Sequence, residues 1–120
     1  DSISPETVAQ VTAQIGPDDT VIVLLDSCHH KQHVLDELRA YSTLVTPGSY
    51  IVAMDGIMEE LTGAPRSAPD WSWNNPRQAA LEFVTENPNF AIEEPQFAFN
   101  EGSVTERVTY WPSAFIKRLK

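Results

Sequence analysis

The feature that most constrains the fold is an unbroken apolar run, Val21–Leu25, which leads directly into an aspartate, a serine, a cysteine and two histidines. An apolar run without alternation predicts a strand buried on both faces, and such strands belong to parallel sheets covered by helices. Ligands of open α/β sheets bind just beyond the carboxyl ends of the strands. We therefore expect Asp26, Ser27, His29 and His30 at the mouth of a site.

The apolar spacing and the turn signals along the chain predict one α/β domain over residues 1–120. A helix between two short buried strands is a βαβ unit, which makes the strands parallel and the crossover right-handed. The last two strands are expected to form an antiparallel pair. The predicted elements are a helix from Ser4-Pro5-Glu6 to Ile15, a strand at Val21–Leu25, a helix at Lys31–Val45, a strand at Ser49–Met54, an irregular stretch at Glu59–Pro76, a helix that begins at Asn75-Pro76, and strands at Ala91–Phe99 and Thr109–Leu119 around a turn at Asn100–Ser103.

This order of elements lacks a cofactor loop. Doubly wound nucleotide-binding sheets carry a glycine-rich loop after their first strand, whereas the five glycines here are scattered and none forms a G-x-G after a strand. We interpret the chain as the C-terminal half of a doubly wound Rossmann-like sheet whose N-terminal cofactor-loop half is absent. Because such a half-sheet exposes the strand that begins at Val21, we expect the chain to form a homo-oligomer or to associate with the missing half. The chain begins at Asp1 without a methionine, which favours a fragment that is inactive alone.

Charge and cysteine content restrict the partners and the compartment. Seventeen acidic and eight basic residues give a net charge of −9, which argues against nucleic acid or an anionic membrane as a partner. The single cysteine, Cys28, excludes an intramolecular disulfide and suits a reducing compartment. No apolar run approaches the roughly 20 residues of a membrane helix and no secretion signal opens the chain, so a cytoplasmic location is expected.

Two carboxylates at strand ends are the first candidates for chemistry. Asp26 and Asp55 each follow a predicted strand, and the two strands are neighbours in a βαβ unit. Carboxylates that converge in this way suit a hard cation such as Mg²⁺, although one of them could instead cap a helix and the other start a turn. His29 and His30 lie where a general base is needed, although either could be an ordinary polar loop residue.

The irregular stretch supplies the candidates for substrate binding. Long loops in compact domains often serve as functional lids, and this one contains Trp71, Trp73 and Asn74. Together with His30, these residues could line a pocket for a small-molecule substrate. Core packing is the more frequent use of tryptophan and stays open as the alternative.

A family resemblance extends over these residues. The elements Asp26-Ser-Cys-His29, Leu44-Val-Thr-Pro-Gly-Ser-Tyr-Ile-Val52 and Trp111-Pro-Ser-Ala-Phe-Ile-Lys-Arg-Leu119 occur in order. With them the sequence resembles the cephalosporin hydroxylase/rhamnosyl O-methyltransferase family, whose members are class I methyltransferases that use S-adenosylmethionine. The resemblance extends from Val21 to Leu119 and implies that the strands here are strands four to seven of a seven-stranded sheet.

The resemblance also implies roles for individual residues. In that family an aspartate after strand four and an acidic pair after strand five hold Mg²⁺ near the acceptor hydroxyl; Asp26 matches the first and Asp55 the second member of the pair. The other member is typically glutamate, but here it is Met54, whose thioether is a poor ligand for Mg²⁺. The family histidine maps to His29, which the resemblance favours over His30 as the base.

These observations favour an O-methyltransferase that acts on a hydroxyl of a small natural product or sugar. The alternative is a non-catalytic binding or assembly domain derived from the same fold, which Met54 favours. A hydrolase or oxygenase that uses the Asp/His cluster is less well supported, because no nucleophile elbow and no two-histidine-one-carboxylate spacing is present.

Overall fold

A computed structural model of the chain describes residues 1–95 and 107–120. The predicted turn at 100–103 and the end of the predicted strand Ala91–Phe99 lie outside these residues. The described elements are α1 (Pro5–Thr12), β1 (Val23–Leu25), α2 (Lys31–Tyr41), β2 (Tyr50–Ala53), α3 (Pro76–Glu86), β3 (Phe90–Ile92) and β4 (Phe115–Arg118), with short 3₁₀ helices at Ser42–Leu44, Gly56–Leu61 and Pro69–Ser72.

The four strands form one mixed sheet in the order β1-β2-β4-β3. β1 and β2 are parallel, with Val23 opposite Ile51, and this confirms the predicted βαβ unit. β3 and β4 are antiparallel, as predicted, and β4 also pairs antiparallel with β2. A mixed α/β sheet of this kind is compatible with part of a Rossmann-like fold.

The core lies between one face of the sheet and the helices α2 and α3. Four apolar residues of α2 repeat at helical spacing and are buried, namely Val34, Leu35, Leu38 and Tyr41, which confirms the amphipathic helix predicted there. The side chains at the centre of this layer are fully buried, namely Leu35, Leu38, Ile51, Phe83 and Ile116. Phe83 also contacts Phe90 edge to face, with 5.2 Å between ring centroids. The sheet is thereby held on the face that α2 and α3 cover.

The prediction that Val21–Leu25 is buried on both faces is wrong. Leu25 is buried, but the side chains of Ile22 and Leu24 are 55% and 61% exposed. The reason is that β1 is an edge strand of the described sheet and is covered on one face only, so that alternate side chains face solvent.

The stretch predicted as irregular, Glu59–Pro76, is partly helical. It contains the 3₁₀ helix Pro69–Ser72 and the end of the 3₁₀ helix Gly56–Leu61. The predicted start of α3 at Asn75-Pro76 is confirmed, and the side chain of Asn75 caps the helix by accepting a hydrogen bond from Gln78 N at 3.0 Å. No helix within residues 1–95 and 107–120 is long and apolar enough to span a lipid bilayer.

Candidate metal and acceptor site

Two carboxylates and one imidazole meet beyond the carboxyl ends of β1 and β2. Asp26 directly follows β1, and one residue, Met54, separates Asp55 from the end of β2. His29 Nε2 lies 3.4 Å from Asp26 Oδ1 and 3.4 Å from Asp55 Oδ2. One ligand atom of each residue lies within 4.8 Å of the others. The structure therefore brings together three of the residues that the sequence singled out.

The most informative atom of this cluster is His29 Nε2. It is buried and makes no hydrogen bond, because neither carboxylate meets hydrogen-bonding geometry at its 3.4 Å separation. A buried polar atom without a partner is costly in a folded protein and calls for an explanation. Its position between two carboxylates suits the binding of a cation.

The backbone at Asp55 places its carboxylate in the cluster. Asp55 adopts the left-handed conformation, with φ 61° and ψ 25°, where aspartate is tolerated better than most residues. Trp111 Nε1 donates a hydrogen bond to Asp55 Oδ1 at 3.1 Å, which leaves Oδ2 facing His29. The next residue must be small, because a Cβ on Gly56 would lie 3.0 Å from the Pro112 carbonyl oxygen. The Asp-Gly pair after a strand is the sequence signal for this turn.

A buried glutamate holds the loop that carries Asp26 and His29. Ser27 Oγ donates to Glu37 Oε1 at 2.7 Å, and His33 Nε2 lies 3.5 Å from the same oxygen. Glu37 is only 2% exposed, and its Oε2 has no hydrogen-bond partner. The sequence analysis missed Glu37. Its spacing was the available signal, because Glu37 lies three residues after Val34 and four before Tyr41, which are both core positions of α2.

Three of the four predicted substrate-binding residues, His30, Trp73 and Asn74, line one cleft. The cleft has a volume of about 480 Å³ and opens at the start of α2. Asn74 also has a structural role, because its Oδ1 accepts a hydrogen bond from Lys31 N at 2.8 Å and its Nδ2 lies 2.9 Å from His30 Nδ1. The fourth residue, Trp71, does not line this cleft.

Comparison with known proteins identifies the family. The family model described as rhamnosyl O-methyltransferase/CmcI matches residues 1–119. The chain belongs to this family. No curated protein and no solved structure gives a significant match. Membership in the rhamnosyl O-methyltransferase/CmcI family implies an O-methyltransferase-type function in general, and with it the use of S-adenosylmethionine that is general among methyltransferases.

The donor set of the cluster fits a divalent cation. Carboxylate oxygens are the protein ligands that Mg²⁺ prefers, and Mg²⁺ usually takes only one or two of them together with waters and substrate oxygens. Asp26 and Asp55 offer such oxygens, while the imidazole of His29 is a donor that suits later metals better. In this member of the family, two aspartates rather than three acidic residues would hold the ion.

Proposed function

We propose that the chain carries the acceptor side of an S-adenosylmethionine-dependent, Mg²⁺-assisted O-methyltransferase that acts on a hydroxyl of a small natural product or sugar. The observation that supports it most is the buried, unpartnered His29 Nε2 between the carboxylates of Asp26 and Asp55. Family membership supports the reaction class. S-adenosylmethionine supplies the methyl group when it is bound.

His29 takes the proton of the acceptor hydroxyl. Methylation of an oxygen requires that its proton leave, and a histidine positioned at the oxygen performs this as a general base. The carboxylates of Asp26 and Asp55 lie 3.4 Å from Nε2 on either side and hold the imidazole in place. The role of the aspartates toward His29 is therefore one of positioning.

Asp26 and Asp55 would also hold Mg²⁺ through their carboxylate oxygens. A bound ion would supply positive charge that favours the ionised form of the acceptor hydroxyl.

The acceptor is a small molecule that reaches from the cluster of Asp26, His29 and Asp55 to the cleft at His30, which none of those three residues lines. Trp73 is 61% exposed there and offers an aromatic face, while Asn74 offers polar atoms beside it. Aromatic surface together with a few polar groups is typical of sites for small molecules. Trp71 belongs to the same loop but does not line the cleft, so we give it no contact with the acceptor.

A second candidate function is a non-catalytic binding or assembly domain. The exposed apolar side chains of Ile22 and Leu24 on β1 favour it, because exposed contiguous apolar surface marks interaction sites. Met54 before Asp55 favours it as well. The two candidates differ in whether His29 and the aspartates are needed for turnover.

A methyl-transfer assay on protein expressed from the complete coding sequence separates the two functions. Transfer from S-adenosylmethionine labelled in its methyl group is measured over a panel of sugars and phenolic natural products. The variants are His29→Gln, Asp26→Asn and Asp55→Asn, and the control is Asp18→Asn, an exposed carboxylate at the opposite end of β1. We expect His29→Gln to lower kcat by about 10²–10⁴-fold and the control to leave it unchanged.

Cofactor binding, measured by calorimetry on the same proteins, completes the test. We expect the three site variants to bind S-adenosylmethionine as tightly as the wild type, because their residues face the acceptor. Full turnover in any of them contradicts the role given to that residue. Absence both of cofactor binding and of transfer to any hydroxyl compound would favour the assembly domain.

A further inference from the structure

Trp111 contacts the candidate cation site, but the proposed function gives it no role. Its Nε1 donates a hydrogen bond to Asp55 Oδ1 at 3.1 Å, while Asp55 Oδ2 lies 3.4 Å from His29 Nε2. Within residues 1–95 and 107–120, this is the one hydrogen bond that the Asp55 carboxylate accepts, and the carboxylate of Asp26 accepts none. Of the two aspartates, Asp55 is therefore the one held with a single oxygen turned toward the cluster.

The main chain fixes Trp111 beside Asp55. Two main-chain hydrogen bonds join the segment that carries the indole to the segment that carries the carboxylate, one on each side of the contact. They run from Ala53 N to the Ala114 carbonyl oxygen at 3.0 Å and from Ile57 N to the Tyr110 carbonyl oxygen at 3.1 Å. The indole N–H is thus placed at Oδ1 by the fold itself and does not depend on its own hydrogen bond to stay there.

The number of oxygens that Asp55 offers affects which cation suits the site. Mg²⁺ is small and requires near-ideal octahedral geometry, whereas Ca²⁺ takes about six to eight oxygens and binds carboxylates through one oxygen or both. The hydrogen bond from Trp111 keeps Oδ1 turned away from the cluster, so that Asp55 offers Oδ2 alone. A carboxylate restricted to one oxygen costs the larger ion a ligand and the smaller ion nothing.

We propose that Trp111 is a specificity-determining residue of the cation site, whose indole N–H makes Asp55 a one-oxygen ligand and thereby favours Mg²⁺ over Ca²⁺. The inference rests on the proposed function, because it concerns the ion that Asp26 and Asp55 would hold. Trp111 acts through Asp55 and is a positioning residue. Groups that hydrogen-bond to metal ligands typically change metal affinity by about 10–100-fold when they are removed.

Competition binding on protein expressed from the complete coding sequence tests the proposal. Free Mn²⁺ is counted by electron paramagnetic resonance, and added MgCl₂ or CaCl₂ displaces the bound ion, which gives a Kd for each cation. Mn²⁺ that the Asp55→Asn protein no longer binds is assigned to this site.

The variant Trp111→Phe removes the N–H and keeps an aromatic ring beside Phe115, whose ring centroid lies 6.3 Å from that of Trp111. We expect it to bind Mg²⁺ about tenfold more weakly than the wild type. It should bind Ca²⁺ no more weakly, because Oδ1 becomes available to the larger ion. The ratio of the Ca²⁺ Kd to the Mg²⁺ Kd should therefore fall about tenfold.

Trp71→Phe is the matched control, because it makes the same chemical change in a tryptophan that lines neither the cleft at His30 nor the pocket at Asp55. It should leave both Kd values unchanged. The Tm of each protein is measured alongside. A tryptophan that only packs would lower the Tm of Trp111→Phe and leave the ratio of the two Kd values at its wild-type level.

Crystals of the wild type grown with CaCl₂ keep the test valid if Trp111→Phe fails to fold. We expect Asp55 to contact the Ca²⁺ through Oδ2 alone, and the indole of Trp111 to keep its hydrogen bond to Oδ1. This measurement reads the number of ligand oxygens directly and needs no variant.

Three results would overturn the proposal. An unchanged ratio of Kd values in Trp111→Phe removes the role of Trp111 and leaves the proposed function standing. Ca²⁺ held by both oxygens of Asp55 in the wild type does the same. A wild type that binds no cation at Asp26 and Asp55 contradicts the metal role in the proposed function together with this inference.

Discussion

Replacement of Asp55 by asparagine should stabilise the cation-free fold and destroy its response to cations. The carboxylates of Asp26 and Asp55 are 58% and 38% exposed, and the cluster places oxygens of the two within 4.8 Å. With the dielectric constant of water, two unit charges at this separation repel by about 0.9 kcal/mol. The fold should tolerate the replacement, because asparagine suits the left-handed backbone at this position and keeps an oxygen for the Trp111 indole.

The expected size of the effect follows from this repulsion. Its removal by Asp55→Asn should raise the Tm of the cation-free protein by about 3–6 °C for a chain of this length. A cation that binds only the folded state adds about 2.7 kcal/mol at a hundred times its Kd. Addition of MgCl₂ should therefore stabilise the wild type and not the variant, so that the order of their Tm values is reversed.

The assay is thermal unfolding followed by circular dichroism, with and without MgCl₂, at constant ionic strength set with NaCl. Asp18→Asn is the matched control, because it removes the same charge from an exposed site at the other end of β1. It should leave the response to MgCl₂ unchanged. If the cation-free Asp55→Asn protein has no higher Tm than the cation-free wild type, the repulsion between Asp26 and Asp55 is refuted. An equal response of both proteins to MgCl₂ would refute Asp55 as a ligand.

Three further predictions concern the scaffold. Asn75→Ala should lower the free energy of unfolding by about 2 kcal/mol in urea titration, because a buried cap is lost and the Trp71 carbonyl oxygen loses a donor; an unchanged midpoint would contradict this. Phe83→Ala should cost about 3–5 kcal/mol by the same measurement, since Phe83 is fully buried, and a cost below about 1 kcal/mol would contradict the packing described. Hydrogen bonds from Lys117 and Tyr50 hold the pKa of Glu93 below its ordinary value of 4.5. The stabilisation of the fold by these bonds is therefore present above pH 4.5 and is lost as the pH falls through the lowered pKa. Glu93→Gln should narrow the difference in Tm between about pH 7 and pH 3, and an unchanged difference would refute this contribution of Glu93.

Topology makes the meeting of Asp26 and Asp55 predictable from the sequence. Each residue follows an apolar run, and the amphipathic helix between the runs requires neighbouring parallel strands. The side chains beyond those two strand ends have to lie close together. The roles assigned to them, and to His29 between them, stay predictions.

Other features depend on contacts that a linear pattern does not contain. The exposure of Ile22 and Leu24 could not be inferred from an apolar run, because the run is the same whether or not a second layer covers the strand. Asn74 looked like a ligand-binding residue, but its hydrogen bonds to His30 and Lys31 depend on how the loop folds back on α2. The burial of Glu37 depends on a hydrogen bond from the hydroxyl of Ser27, which lies outside α2.

The most direct test of a cation site between Asp26 and Asp55 is an anomalous difference map at the manganese edge, from crystals grown with MnCl₂ in place of MgCl₂. We expect one strong peak within coordination distance of a carboxylate oxygen from each aspartate, and no peak there in crystals of Asp55→Asn. A wild-type map without density at this position, while manganese is bound elsewhere on the chain, would contradict the site.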